Sequence, residues 1–188
     1  MNYKNLPAGD KLPTDINALI EISKGGGSLK YEFDKNSGAI FVDRIRGSSM
    51  LYPVNYGCVP QTLADDGDAL DILVLCEPVQ TGAVIPVRPV GVLVMEDEKG
   101  LDVKIIAVPA DRLTDAFKHI QDINDIPPEE RRKIEHFFTH YKDLESGAGK
   151  WSKVKGWEDV ASAHRYILDA HAKAHPAPTP KKKGPPKP

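Results

Sequence analysis

Residues 65–75 read DDGDALDILVL, in which four aspartates within seven positions run straight into an unbroken apolar stretch. Alternation along LDILVL gives one face of Leu70, Ile72 and Val74 and another of Asp71, Leu73 and Leu75. Apart from one aspartate the strand is therefore apolar on both sides, the pattern of a strand covered on both faces. Asp71 is a carboxylate heading a buried strand. Taking its charge out of water costs several kcal/mol unless it is paired or coordinates a metal. Asp66 and Asp68, on the loop before it, add repulsion. A hard divalent cation resolves the crowding, because Mg²⁺ takes oxygen ligands from one or two carboxylates and keeps several waters.

Outward from this strand, residues from about Asn17 to Val108 form short β-branched runs separated by turn residues, with no sustained helical period. The expected strands are NALIEIS, LKYEFD, AIFVDRI, LDILVL, VIPVRPVGVLVM and LDVKIIAV. The first three are joined by KGGGS and KNSG and the last two by EDEKG, all Gly or Asn turn chemistry. Pro86 and Pro89 predict an edge or a bulge in the fifth run. A small β-barrel or strongly curled sheet fits best. After Pro109 the period becomes helical: TDAFKHI is short, and PEERRKIEHFFTHYKDLE spaces Ile134, Phe137, Phe138, Tyr141 and Leu144 along one stripe, with Pro128 in its first turn and Gly147 as its stop. A last helix from about Trp157 to Lys173 aligns Val160, Ala161, His164, Ile167, Leu168 and His171. The class is α+β, with the helices packed beside the barrel. Residues 1–174 read as a single domain and 175–188 as a disordered Pro/Lys-rich tail.

Composition narrows the function. The chain has 188 residues, is 40% hydrophobic and carries a net charge of −2, so one core is expected and no basic field of the kind a nucleic-acid binder carries. Cys58 and Cys76 form neither a disulfide framework nor a zinc site, which points to a reducing, cytoplasmic compartment. No apolar stretch approaches the roughly 20 residues that span a bilayer, and no secretory leader is evident.

The strands also mix acids and bases. Asp102 and Lys104 share a face with Ile106 and Val108; Lys30, Glu32 and Asp34 alternate along LKYEFD; Glu21 lies inside NALIEIS; and Arg44 ends a face with Ile40 and Val42. Taken singly, each fits a solvated sheet face with cross-strand ion pairs. Together they offer what a site for metals and a multiply charged oxyanion needs, carboxylates for the ions and Lys or Arg for the phosphates. Nucleotide cradles are absent: GAGKWS at 147–152 lacks the P-loop spacing, and an EF-hand starting at Asp66 would put Leu70 and Asp71 at the wrong positions. His136 and His140, four residues apart, are expected to face another helix or a subunit contact rather than a metal. Cys58 and Cys76 are expected to be inert buried thiols.

The run Asp66-Gly67-Asp68-Ala69-Leu70-Asp71, with EIS…LKYE, GAIFVDR, MLYPVNYG, RPVGVLVMEDE, LDVKIIAVP, HFFTHYKDLE and KVKGWE in order, resembles the soluble inorganic pyrophosphatases of family I in their compact bacterial form. The resemblance covers about residues 3 to 173. It implies a five-stranded OB-like barrel with two to three helices at its side, and Mg²⁺-dependent hydrolysis of pyrophosphate to two phosphates, with Mn²⁺ or Zn²⁺ as possible substitutes. It further implies that Asp66, Asp71 and Asp102 hold the metals that activate water. Asp97 would hold a substrate-bound metal, with Glu21 and Glu32 in the same acidic cluster. Asp68 would take the proton of the nucleophilic water. Lys30, Arg44, Tyr56, Lys104, Tyr141 and Lys142 would bind phosphate, and Tyr52 would support the acidic cluster. A hexamer is implied by analogy, with neither nucleic acid nor membrane as partner. The chain departs from the pattern at Ser23, where a proline is usual, in the KGGGS loop, in the lengthened connection before Trp151, and in the KKKGPPKP tail. Three rival readings remain: an OB-fold nucleic-acid-binding module, a metal-stabilised protein without turnover, and a phosphohydrolase acting on nucleotides.

Overall fold

The computed structural model describes residues 3, 5–34, 36–145 and 150–176. Eight strands are formed: β1 (Ile16–Ile22), β2 (Leu29–Asp34), β3 (Ala39–Ile45), β4 (Asn55–Cys58), β5 (Asp71–Val74), β6 (Val84–Asp97), β7 (Gly100–Pro109) and β8 (Ser152–Glu158). Among the described residues two helices accompany them, α1 (Pro128–His140) and α2 (Val160–Ala174). The sheet runs β1-β4-β5-β7-β6-β8, and β1 also pairs with β6, so β1, β4, β5, β7 and β6 close into a five-stranded ring with β8 on the outer side of β6. The β5–β7 pair is parallel, whereas every other pair in the ring is antiparallel.

The barrel is the expected one, but its membership differs from the strand pattern. β2 and β3 form a separate two-stranded sheet, and the ring takes instead β4, the short NYGC segment that carries no strand signal of its own. β6 is a shared strand rather than an edge, and its register shifts between Pro89 and Gly91, so the proline costs a bulge.

The two faces of β5 lie in different cores. Leu73 packs in a cluster with Ile106, Val108, Ile134, Phe137 and Phe138, under α1. Leu70, Ile72 and Val74 pack in a second cluster with Ile105, Ala107, Ala163 and Ile167, under α2. Each such fully buried Leu, Ile, Val or Phe side chain contributes about 1.5–3 kcal/mol. The ring is clamped between helices through the alternation of one strand.

The helical segments need three corrections. TDAFKHI forms turns rather than a helix, because the carbonyls of Phe117 and Ile120 accept hydrogen bonds from the Arg88 guanidinium at 3.2 and 2.8 Å. Only the 3₁₀ turn Ile123–Asp125 follows, closed by a capping box between Asp122 and Asp125. α1 stops at His140, where turn bonds from Asp143 N–H to His140 and from Glu145 N–H to Lys142 take over; Gly147, the expected stop, lies outside the described residues, as does the tail beyond Pro176. α2 begins at Val160, capped by Asp159 accepting from Ser162 N–H, while Trp157 and Glu158 belong to β8. Its buried stripe is Ala163, Ile167 and Ala170, and Leu168 from the expected stripe is 47% exposed. His136 and His140 lie exposed on α1, rings 4.7 Å apart, with His140 Nδ1 2.9 Å from Asp143. Cys58 is buried and Cys76 half-buried. No helix of the described residues is long and apolar enough to cross a membrane.

Candidate active site

The acidic loop before β5 is shaped by its own backbone. Ala64 N–H donates to Asp68 O at 2.8 Å, Gly67 N–H to Ala64 O at 3.2 Å, and Asp68 N–H to the Asp66 carboxylate at 3.0 Å. Gly67 sits at φ +90°, a left-handed conformation that a side chain would strain. Thr62 anchors the loop to the barrel, its hydroxyl donating to Val59 O and accepting from Leu70 N–H. Lys173 of α2 holds Asp65 at 2.5 Å, and Lys99 from the β6–β7 turn stands 3.9 Å from both Asp66 and Asp68.

Sheet register brings the rest together. Asp71 is the direct partner of Lys104 across the parallel pair. Lys104 Nζ lies 2.5 Å from Asp71 and 2.9 Å from Asp102, above the rings of Tyr56 and Phe138 at 5.6 and 5.4 Å. It is 2% exposed, and although burial opposes its charge, Asp102 and Asp71 hold its pKa well above the usual lysine value. Asp102 is itself raised by burial, with Lys104 acting against the rise. Glu21, 5% exposed on β1, accepts from Phe33 N–H at 2.7 Å, and burial pushes its carboxyl up to about 8. The cations beside these acids are equally placed. Lys30 lies 3.1 Å from Glu32 and 3.5 Å from Asp43; Arg44 bridges Asp43 and Glu145; Lys142, nearly buried, bridges Asp97 at 2.8 Å and Glu98 at 3.0 Å. Burial raises the phenols of Tyr52, Tyr56 and Tyr141, so all three stay protonated donors at neutral pH.

All fourteen side chains singled out from the sequence line one cleft of about 570 Å³. The structure adds Asp43, Glu98 and Glu145, the partners of Lys30, Arg44 and Lys142, and Lys99 against the acidic loop. Each of the three carboxylates is within three residues of a selected side chain, in FVDR, MEDE and YKDLE, but which cation it pairs with depends on register. Among the described residues the cleft's charged lining counts ten carboxylates against seven cations. Among the described residues no three acids, histidines or cysteines already stand in a metal-holding arrangement; Lys104 pairs with both Asp71 and Asp102, and Lys142 with both Asp97 and Glu98. The donor set is nonetheless oxygen throughout, in excess over its cations and partly buried, which is the chemistry a hard divalent ion fits.

The comparisons agree with this geometry. A family model described as inorganic pyrophosphatase matches residues 18–175. The chain is 51% identical to an inorganic pyrophosphatase of Vibrio vulnificus over 175 residues, 93% of this chain and 98% of the relative, and 49% identical to one of Escherichia coli over the same length. The crystal structure of inorganic pyrophosphatase from Thermus thermophilus superposes with a TM-score of 0.86 at 46% identity, covering 93% of this chain and 99% of that one. A ring of five strands, an acidic loop opening into its parallel pair and relatives aligned almost end to end lead to one assignment: the chain belongs to the inorganic pyrophosphatase family.

Proposed function

We propose that the chain hydrolyses inorganic pyrophosphate to two phosphates in this cleft, using divalent metal ions, Mg²⁺ first among them and Mn²⁺ or Zn²⁺ as substitutes. The carrying observation is the lining itself: among the described residues, ten carboxylates and seven cations around one cavity, a mixture that serves a metal-bound polyanion and suits neither partner alone. Asp66, Asp71 and Asp102 would hold the ions next to the reacting water, and Asp97, Glu21 and Glu32 would complete the acidic cluster. Bound there, the ions would supply a hydroxide at neutral pH and would neutralise charge on the phosphates.

The protein's own groups have separate tasks. Asp68 has a half-exposed carboxylate on a loop whose shape Asp66 and Gly67 fix, which suits a proton acceptor for the attacking water. Lys30, Arg44, Lys104 and Lys142 bind the phosphates, and the protonated phenols of Tyr56 and Tyr141 donate hydrogen bonds to the oxygens that gain charge as the leaving phosphate departs. Tyr52 supports this wall from beneath. The barrel face that a nucleic acid would need carries excess negative charge, which disfavours the binding-module reading.

The test is phosphate release from pyrophosphate in millimolar Mg²⁺, with and without EDTA, for the wild type and Asp68→Asn. Chelator-sensitive hydrolysis that falls by about 10²–10⁴-fold in the variant is expected. No release by the folded wild type would overturn the function, and full activity in the variant would overturn the role of Asp68. Residues 1–174 are proposed to act as one domain, in a hexamer that sedimentation velocity would detect. The two unpaired cysteines fit a cytoplasmic setting.

A further inference from the structure

Arg46 is a charge buried among rings. It directly follows β3 and is 3% exposed, with its guanidinium carbon 4.6 Å from the ring centre of Tyr52 and 5.6 Å from that of Phe137. Nη2 donates to the Gly27 carbonyl at 2.6 Å, while Nε and Nη1 are buried without a partner among the described residues. Burying a guanidinium with part of its donors unmet is costly. The hydrogen bond and the two rings show what that charge holds in place.

It holds the Gly-rich loop between β1 and β2. Gly25 N–H donates to Tyr52 O at 2.8 Å, Tyr52 N–H donates to Gly26 O at 3.0 Å, and Arg46's own N–H donates to Ser28 O at 2.7 Å. Three consecutive glycines have the most backbone freedom to lose on ordering. Yet Gly26 is seated so closely that a Cβ would lie 2.6 Å from the Ile22 side chain. Tyr52 passes this order on, its ring 5.5 Å from Tyr56 and 4.7 Å from Phe137, while Arg46 itself does not line the cleft.

We propose that Arg46 is a positioning residue for the hydrolytic site: its guanidinium fastens the Gly25–Gly27 loop onto Tyr52 and thereby sets the aromatic floor that Tyr52 and Tyr56 form beneath the charged cleft. The inference rests on the reading of that cleft as the pyrophosphate site. It gives the loop's sequence a physical partner. A run that costs much to order is held by a side chain that bonds its carbonyl and stacks on the residue it pairs with.

The experiment uses the full chain, wild type beside Arg46→Met and Arg46→Lys, with three readouts: kcat and KM for pyrophosphate in saturating Mg²⁺, amide hydrogen exchange at Gly25 and Tyr52, and a double-mutant cycle with Tyr52→Leu. Arg46→Met is expected to lower kcat/KM about tenfold, since small misplacements of site groups carry such costs. Exchange at Gly25 and Tyr52 should rise at least tenfold while Ile72 and Ile105 keep their protection, and the kinetic loss should largely vanish in the Tyr52→Leu background. Arg46→Lys should fall between. Wild-type kinetics in Arg46→Met, unchanged exchange at both amides, or additivity in the cycle would each overturn the proposal. If Arg46→Met does not fold, Arg46→Lys carries the same readouts, and wild-type values in it overturn the proposal. A wild type without pyrophosphate hydrolysis would remove the function reading and this site role with it, while the exchange data would still show whether Arg46 fastens the loop.

Discussion

Lys104 Nζ rests 2.5 Å from the carboxylate of Asp71, its direct partner across the parallel β5–β7 pair. With Asp102 at 2.9 Å the three make a partly buried cluster in which one buried ammonium serves two half-buried acids. Removing one member of such a cluster leaves the others uncompensated. Lys104→Met is therefore expected to cost about 3–5 kcal/mol in EDTA. Millimolar Mg²⁺ should return more of that stability than it adds to the wild type. Urea midpoints with and without the ion measure both effects, and an unchanged midpoint in EDTA would contradict the cluster's cost.

Glu21 sets a pH dependence in the metal-free protein. Burial raises its folded pKa to about 8 against an unfolded value of 4.5, so the folded state holds the proton more tightly. Its stabilisation is complete below the unfolded value and is lost as pH rises through about 8. Thermal stability in EDTA should fall between pH 5 and 9, and Glu21→Gln should flatten that slope. Equal slopes in the two proteins would refute it.

Lys142 is held ready by Asp97 and Glu98, and Glu98 has its carboxyl lowered to about 2, where burial is outweighed by hydrogen bonds from Lys150, its own backbone and Lys142. A charged hydrogen bond to a phosphate contributes about 1.5–3 kcal/mol, so Lys142→Met should lower kcat/KM by about 10- to 150-fold. Steady-state kinetics with pyrophosphate decide it.

Ile16 is wholly buried in the α2-side core and does not line the cleft. Ile16→Ala should destabilise by about 2–5 kcal/mol through the cavity it leaves. Well below the unfolding transition, kcat should stay within about twofold of wild type, because the barrel's charged end is untouched. A large loss of kcat in the folded variant would mean that the two cores are coupled to the site.

Much of this site is legible along the chain, because strand alternation alone puts Asp71 on a buried strand and Asp102 with Lys104 on one face. What alternation does not contain is register. Nothing in LDILVL or LDVKIIAV states that they run parallel, so the pairing of Asp71 with Lys104 appears only in three dimensions. β4 is hidden for another reason: NYGC has four residues, one of them glycine, and becomes a strand because β1 and β5 flank it. β8 alternates exposed lysines with half-buried Ser152, Val154 and Gly156, a weak signal beside its long partner β6. The frame of α2 was available in Asp159, whose capping of Ser162 outweighs the apolar spacing that begins at Trp157.

The parallel β5–β7 pair also orders events in time. Hairpins such as β6–β7 close over short loops, but Asp71 and Lys104 are 33 residues apart, so their contact is expected to form when that hairpin docks on β5. The proposed hydrolytic corner is thus expected to assemble after the local structure around it, so that activity would report completed folding. Recovery of chelator-sensitive activity is expected to follow the slowest refolding phase seen by tyrosine and tryptophan fluorescence; activity that returns ahead of that phase would reverse the order.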